Sequence, residues 1–154
     1  MGHDYAATIT WQRRQGPGTV DYRSYSRDYL VEIAGKPPMT GSADKTFRGS
    51  ADRHNPEDLL VVALSSCHML SYLAEAARAG LLVLDYRDAA TGHMNTHDRT
   101  GEFTEVVLHP VVTVAPGSDL ELAERLHASA HALCFIARSV NFPVRHEART
   151  IVAP

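Results

Sequence analysis

The segment NPEDLLVVALSSCHML, residues 55–70, constrains this chain more than any other, because its opening residues specify a helix and its body demands burial. Asn55 suits an N-cap, Pro56 suits the first helical position, and Glu57 and Asp58 place negative charge at the positive end of the helix dipole. The helix is predicted to run to Ala79, with Arg78 near its end and Gly80 as the stop. Leu59 to Leu64 are apolar on all sides, the pattern of a helix surrounded by protein. The uncharged run Leu59 to Ala74, 16 residues broken by Ser65, Ser66, His68 and Ser71, falls short of a membrane span of roughly 20 apolar residues. A soluble protein without a membrane partner is expected.

Before this helix, YAATITWQ alternates and is rich in β-branched and aromatic residues, QGPG is a turn, and TVDYRSYSRDYLVEIAG continues with strand chemistry. After Gly80, LLVLDYRDAATGHMN and GEFTEVVLHPVVTVAP read as two long antiparallel strands joined around THDRTG. A second helix follows, capped by Ser118 or Asp119 and extending through Cys134, and FPVRHEARTIVA is a last strand. The order predicts an α+β fold with two main helices on one face of an antiparallel sheet. At 154 residues and 44% hydrophobic content, the chain is expected to form a single domain over 1–154. A net charge of −3 with interspersed signs argues against nucleic acid. The first residues lack the basic and apolar regions of a signal peptide, so a cytoplasmic protein is expected.

Two cysteines, Cys67 and Cys134, carry the chemistry to be explained. Taken singly, each reads as a small buried hydrophobe. In a reducing compartment a permanent staple is not expected, but two thiols on packed helices can cycle between dithiol and disulfide. A working thiol must be a thiolate, which needs a nearby cation or helix N-terminus. Cys67 lies too deep in its helix for the dipole, which fades within the first turn. His68 points about 100° away around the helix, leaving Lys45, Arg48 and Arg53 of the preceding loop as the better sources of charge. His127, His131 and Cys134, spaced i, i+4, i+7, invite a metal reading. They lack a fixed fourth ligand, and the alanines and leucines between them suit a packing face, so no metal or cofactor is expected.

NPEDLLVVALSSCHM, a second cysteine 67 residues later and a closing strand resemble the OsmC/Ohr family of thiol-dependent hydroperoxide reductases. The resemblance covers nearly the whole chain in element order. It implies an intertwined homodimer, each half an antiparallel sheet wrapped on the cysteine-bearing helices. It further implies that Cys67 is the peroxidatic cysteine, Cys134 the resolving cysteine, and Glu57 the glutamate that orients an active-site arginine. Glu57 and Cys67 lie about 15 Å apart along one helix, beyond the reach of a glutamate. If both serve one site, Glu57 comes from the partner chain. Two positions depart from the family pattern: Thr46 stands where the arginine is usual, so Arg48 and Arg53 compete for its role, and Phe135 follows Cys134 where proline is common.

The implied activity is reduction of organic hydroperoxides through a Cys67 sulfenic acid and a Cys67–Cys134 disulfide, with an external dithiol, such as a dihydrolipoyl protein, as reductant. Two other classes remain open on the residues. One is a non-catalytic ligand-binding or stress-response protein on the same fold; the other is a metal-dependent hydrolase using His68, His127 and His131.

Overall fold

The computed structural model describes all residues except Gln15. They fall into two compact units, residues 1–60 and 61–154.

In residues 1–60, β1 (Thr8–Trp11), β2 (Tyr29–Glu32) and β3 (Met39–Gly41) form an antiparallel sheet in sequence order. Residues 20–28, expected to continue as strand, are instead bends and turns. Asp21 and Ser26 compete for backbone N–H groups there: Asp21 accepts from Arg23 N at 2.6 Å and Ser26 Oγ from Asp28 N at 3.1 Å, while Ser24 Oγ donates to Asp21 O at 3.2 Å. Asp28 is 2% exposed, and its carboxylate accepts from Arg14 at 2.5 Å and Ser50 at 2.8 Å. Burial opposes its ionisation, but the Ser50, Ser42 and Arg14 hydrogen bonds and the Arg53 charge hold its pKa below the usual value. Gly49 packs so tightly that a Cβ there would lie 1.5 Å from the carbonyl oxygen of Ala43. That neighbour is backbone and cannot step aside. Gly49→Ala should therefore cost more than about 3 kcal/mol, read as a lowered urea midpoint.

Helix α1 (Pro56–Arg78) begins where the sequence places it. Asn55 Oδ1 accepts from Asp58 N at 2.7 Å, satisfying one of the free donors of the first turn. The helix closes with Leu81 N donating to Ala76 O at 2.9 Å and Gly80 at φ 73°, a conformation glycine takes without strain. At 23 residues, with an 18-residue stretch of mean hydropathy 1.5, α1 is long and apolar enough to cross a membrane, contrary to the shorter count above. A helix surrounded by protein was expected. One narrow stripe, Leu64, His68, Tyr72 and Ala76 at four-residue intervals, is buried, whereas Val62 and Leu70 are 58% and 63% exposed.

In residues 61–154 the expected pair of long strands is four strands in two sheets. β4 (Val83–Asp88) and β5 (Thr91–His97) separate at Ala89–Ala90, and β6 (Thr100–Leu108) and β7 (Pro110–Val114) separate at His109. Asp88 holds this corner, accepting from His109 N at 2.7 Å and from Ser65 of α1 at 2.5 Å. β5 and β6 form a hairpin over Asp98 and Arg99, with Asp98 at φ 54°. The last strand is likewise two, β8 (Val144–His146) and β9 (Arg149–Val152), which join β6 and β7 in parallel. The sheets, ordered β4-β7-β9 and β5-β6-β8, are thus mixed rather than wholly antiparallel. Helix α2 (Leu120–Leu133) is capped by Asp119, whose side chain accepts from Leu122 N at 3.0 Å. Tyr72, Ala76, Leu81, Val112, Val114, Ala123, Leu126 and Ala130 form the core between helices and sheet. The α+β class with two main helices holds.

Candidate active site

Cys67 lies some three turns into α1, half-buried, and Cys134 is fully buried; both are free thiols. Cys134 is not inside α2 but caps it. Its ψ of 108° turns the chain out of the helix, its N–H donates to His131 O, and its Sγ accepts from Ala137 N at 3.4 Å. A 3-10 turn, Ala137–Ser139, follows. The Cys67 side chain comes close enough to Cys134 to act on its titration. Burial first, and then the neighbouring Cys67, push the Cys134 pKa up to about 11. Cys134 is therefore held as a thiol.

The other three predicted residues belong to residues 1–60. Glu57 stands in the first turn of α1 with Oε2 buried and without a hydrogen-bond partner. Its charge, after burial, raises the pKa of Tyr29. Arg53 is half-buried with Nη1 3.8 Å from Asp28 Oδ2, so it is engaged elsewhere than at Glu57. Arg48 is exposed, ends the 3-10 turn Lys45–Phe47 at φ 68°, and makes no ion pair among the described residues.

The histidines grouped in the metal reading, His68, His127 and His131, do come together, joined by His146, which the sequence did not single out. His68 Nε2 and His127 Nδ1 lie 3.1 Å apart, with ring planes within 4° and centroids 5.4 Å apart. The rings thus meet edge to edge in one plane. His146 of β8 lies 5.6 Å from both rings, and His131 lies 6.2 Å from His146. His68 and His127 are 1% and 0% exposed. Burial, followed by neighbouring imidazoles, lowers their pKa values to about 4 and about 3, so both are neutral at pH 7. His68 points into this cluster, a position consistent with its place in the i, i+4 buried stripe of α1. Among the described residues, no three His, Cys, Asp or Glu side chains converge on a metal position. The lone pair of one ring in the His68–His127 contact faces the edge of the other rather than a common ion.

Two free thiols, one within α1 and one capping α2, thus lie in a fold of two main helices backed by mixed sheets. The model of the OsmC-like protein family matches residues 49–149, and the chain belongs to that family. It is similar to a solved OsmC-like protein of unknown function from Vibrio cholerae O1 biovar eltor str. N16961, with 34% identity and a TM-score of 0.87 over 96% of this chain and 99% of that one. An organic hydroperoxide resistance protein from Elizabethkingia anophelis shares the fold at 18% identity, with a TM-score of 0.71 over 99% of each chain. An uncharacterized Bacillus subtilis protein, YmaD, is 26% identical over 102 residues, 64% of this chain and 68% of its own.

Proposed function

We propose that this protein is a thiol-dependent peroxidase that reduces organic hydroperoxides. The observation that carries the reading is the approach of the free Cys67 thiol to the buried Cys134 thiol, its only cysteine partner. Cys67 thiolate attacks the distal oxygen of ROOH, the O–O bond breaks, and the alkoxide leaves as ROH after taking a proton. The Cys67 sulfenic acid then condenses with Cys134, releasing water and forming a disulfide. An external dithiol, of the dihydrolipoyl type, returns both sulfurs to thiols by exchange. Arg48, with no ion pair among the described residues, is the better of the two arginines for stabilising the thiolate, and Glu57 the group that fixes its planar head.

A homodimer completes this reading. Val62 and Leu70 are exposed on an apolar helix of which only 22% of the most hydrophobic window is buried, which suits cover by a second copy. If Glu57 and Cys67 serve one site, their separation of about 15 Å along α1 requires Glu57 of one chain to serve the thiols of the other. The competing reading, a non-catalytic binding or stress-response protein in the cytoplasm, draws on Arg53 being engaged with Asp28 rather than Glu57.

Light scattering should give twice the chain mass of 16.9 kDa. With dithiothreitol or a dihydrolipoyl protein as reductant, the dimer should turn over cumene hydroperoxide at least about tenfold faster than hydrogen peroxide, because apolar surface favours the aryl group. Equal, dithiol-limited rates for both peroxides would favour the binding reading.

A further inference from the structure

Helix α1 has a second concave flank, away from the thiols. At about 100° per residue, Cys67 points about 160° away from Ser65 around the helix. On the Ser65 side, α1 and the β4–β5 corner enclose a cleft of about 370 Å³. Val61, Val62 and Met69 form one wall and Ala89 and Ala90 the other, so most of the lining is apolar. The volume falls in the range of small-molecule sites.

Two polar groups in this cleft carry more than the fold uses. Asp88 lines it, and its carboxylate oxygens accept one bond each, from His109 N at 2.7 Å and from Ser65 Oγ at 2.5 Å. A carboxylate offers about four lone pairs, so acceptor capacity remains. Its charge also remains. Asp88 makes no ion pair among the described residues, and His68, which feels that charge, is neutral at pH 7. Tyr86 lines the same cleft, with its hydroxyl buried and unpartnered. Burial first, and then the Asp88 charge, push its pKa up, so it stays a neutral phenol. Phenylalanine would fill the same space without leaving a hydroxyl unpaired.

We propose that this cleft binds a small organic ammonium ion with an alkyl or arylalkyl body, its nitrogen held by Asp88 and Tyr86. The N–H groups serve the free lone pairs of the carboxylate and phenol oxygens, and the hydrocarbon displaces water from the valine, methionine and alanine walls. Asp88 equally excludes carboxylate ligands, which would bring a second negative charge beside the first with no cation between them. The competing occupant is a second copy of the chain, because Val62 borders the cleft and is 58% exposed. The apolar walls suit either occupant, but the Asp88 charge calls for a cation. The proposal goes beyond the peroxidase reading and does not depend on it.

The test is calorimetric titration of the reduced protein, in its solution oligomer, with 2-phenylethylammonium, 2-phenylethanol and phenylacetate. The ammonium should bind with a Kd on the order of 1 mM or tighter, and the alcohol and carboxylate at least about tenfold more weakly. Binding should shift the Met69 methyl signal in NMR spectra of methyl-labelled protein, assigned by its loss in Met69→Leu. Tyr86→Phe should weaken ammonium binding about fivefold, and Asp88→Asn at least about tenfold. Because Asp88 also holds the β4–β5 corner, Tyr86→Phe keeps the test decisive if Asp88→Asn fails to fold. Equal affinities for the three compounds, an unmoved Met69 signal, or an affinity unchanged in Tyr86→Phe would each overturn the proposal. No uptake of the ammonium by the oligomer would also overturn it, and would leave the second copy as the occupant.

Discussion

Cys67→Ser should reduce the hydroperoxide reductase rate at least about a thousandfold, to the background of the dithiol alone, because removal of a nucleophile removes every step that follows from it. Cys134→Ser should behave differently. Its Cys67 should still consume one equivalent of hydroperoxide and stop as a sulfenic acid that dimedone captures. The asymmetry follows from the site: burial first, and then the neighbouring Cys67, push the Cys134 pKa up to about 11, so at neutral pH it is a poor substitute for Cys67 as the attacking sulfur. Rates measured by loss of cumene hydroperoxide for the two variants check this division of labour. Equal loss in both would mean that neither sulfur is specialised.

The second large effect concerns stability in acid. His68 and His127 are neutral in the fold with pKa values lowered to about 4 and about 3, whereas in the unfolded chain they bind protons near 6.5. A base with a lowered folded pKa contributes stability that is complete above its unfolded value and is lost as pH falls below it. The folded state should therefore lose about 4 kcal/mol between pH 7 and pH 4.5, read from urea unfolding at the two pH values. Asp28, whose pKa is lowered, acts in a separate window: its contribution is present above about 3.8 and is lost only below it. The double variant His68→Leu/His127→Leu should abolish most of the slope between pH 7 and 4.5. It should keep or raise stability at pH 7, since removing both partners together leaves no orphaned donor. A double variant as acid-sensitive as the parent protein would place the acid response elsewhere.

What the sequence made legible was local. The start of α1 followed from Asn55, Pro56 and Glu57, its end from Gly80, and the α2 cap from Asp119, because each signal acts within one turn. The family followed from NPE and a cysteine ten residues on, and the family match over residues 49–149 bears it out. The misreadings came where distant residues decide. Cys134 was placed inside a helix because the apolar spacing continues past Leu133, but its contacts with Cys67 and Ala137 belong to a turn. The break at His109 depends on Asp88, 21 residues away, and the parallel pairings of β8 and β9 join segments whose alternation alone does not specify a partner.

The same distinction governs the site. His68 looked like a weak neighbour of Cys67 because its sequence position reports its direction around the helix, not what it meets there. Its partner His127 is 59 residues away. Arg53 looked as eligible as Arg48 until the fold placed buried Asp28 beside it. Neither contact leaves a periodic trace in the sequence; the excess of histidines, nine in 154 residues, and the i, i+4 spacing of His127 and His131 pointed to a cluster but not to its geometry.

The most direct measurement is the intact mass of the fully reduced protein after one equivalent of cumene hydroperoxide, followed by peptide mapping. A loss of two hydrogens per chain, located in a peptide pair joined through Cys67 and Cys134 within the same chain, is the predicted result. A gain of oxygen confined to methionines, with both cysteines still alkylated as free thiols, would contradict it.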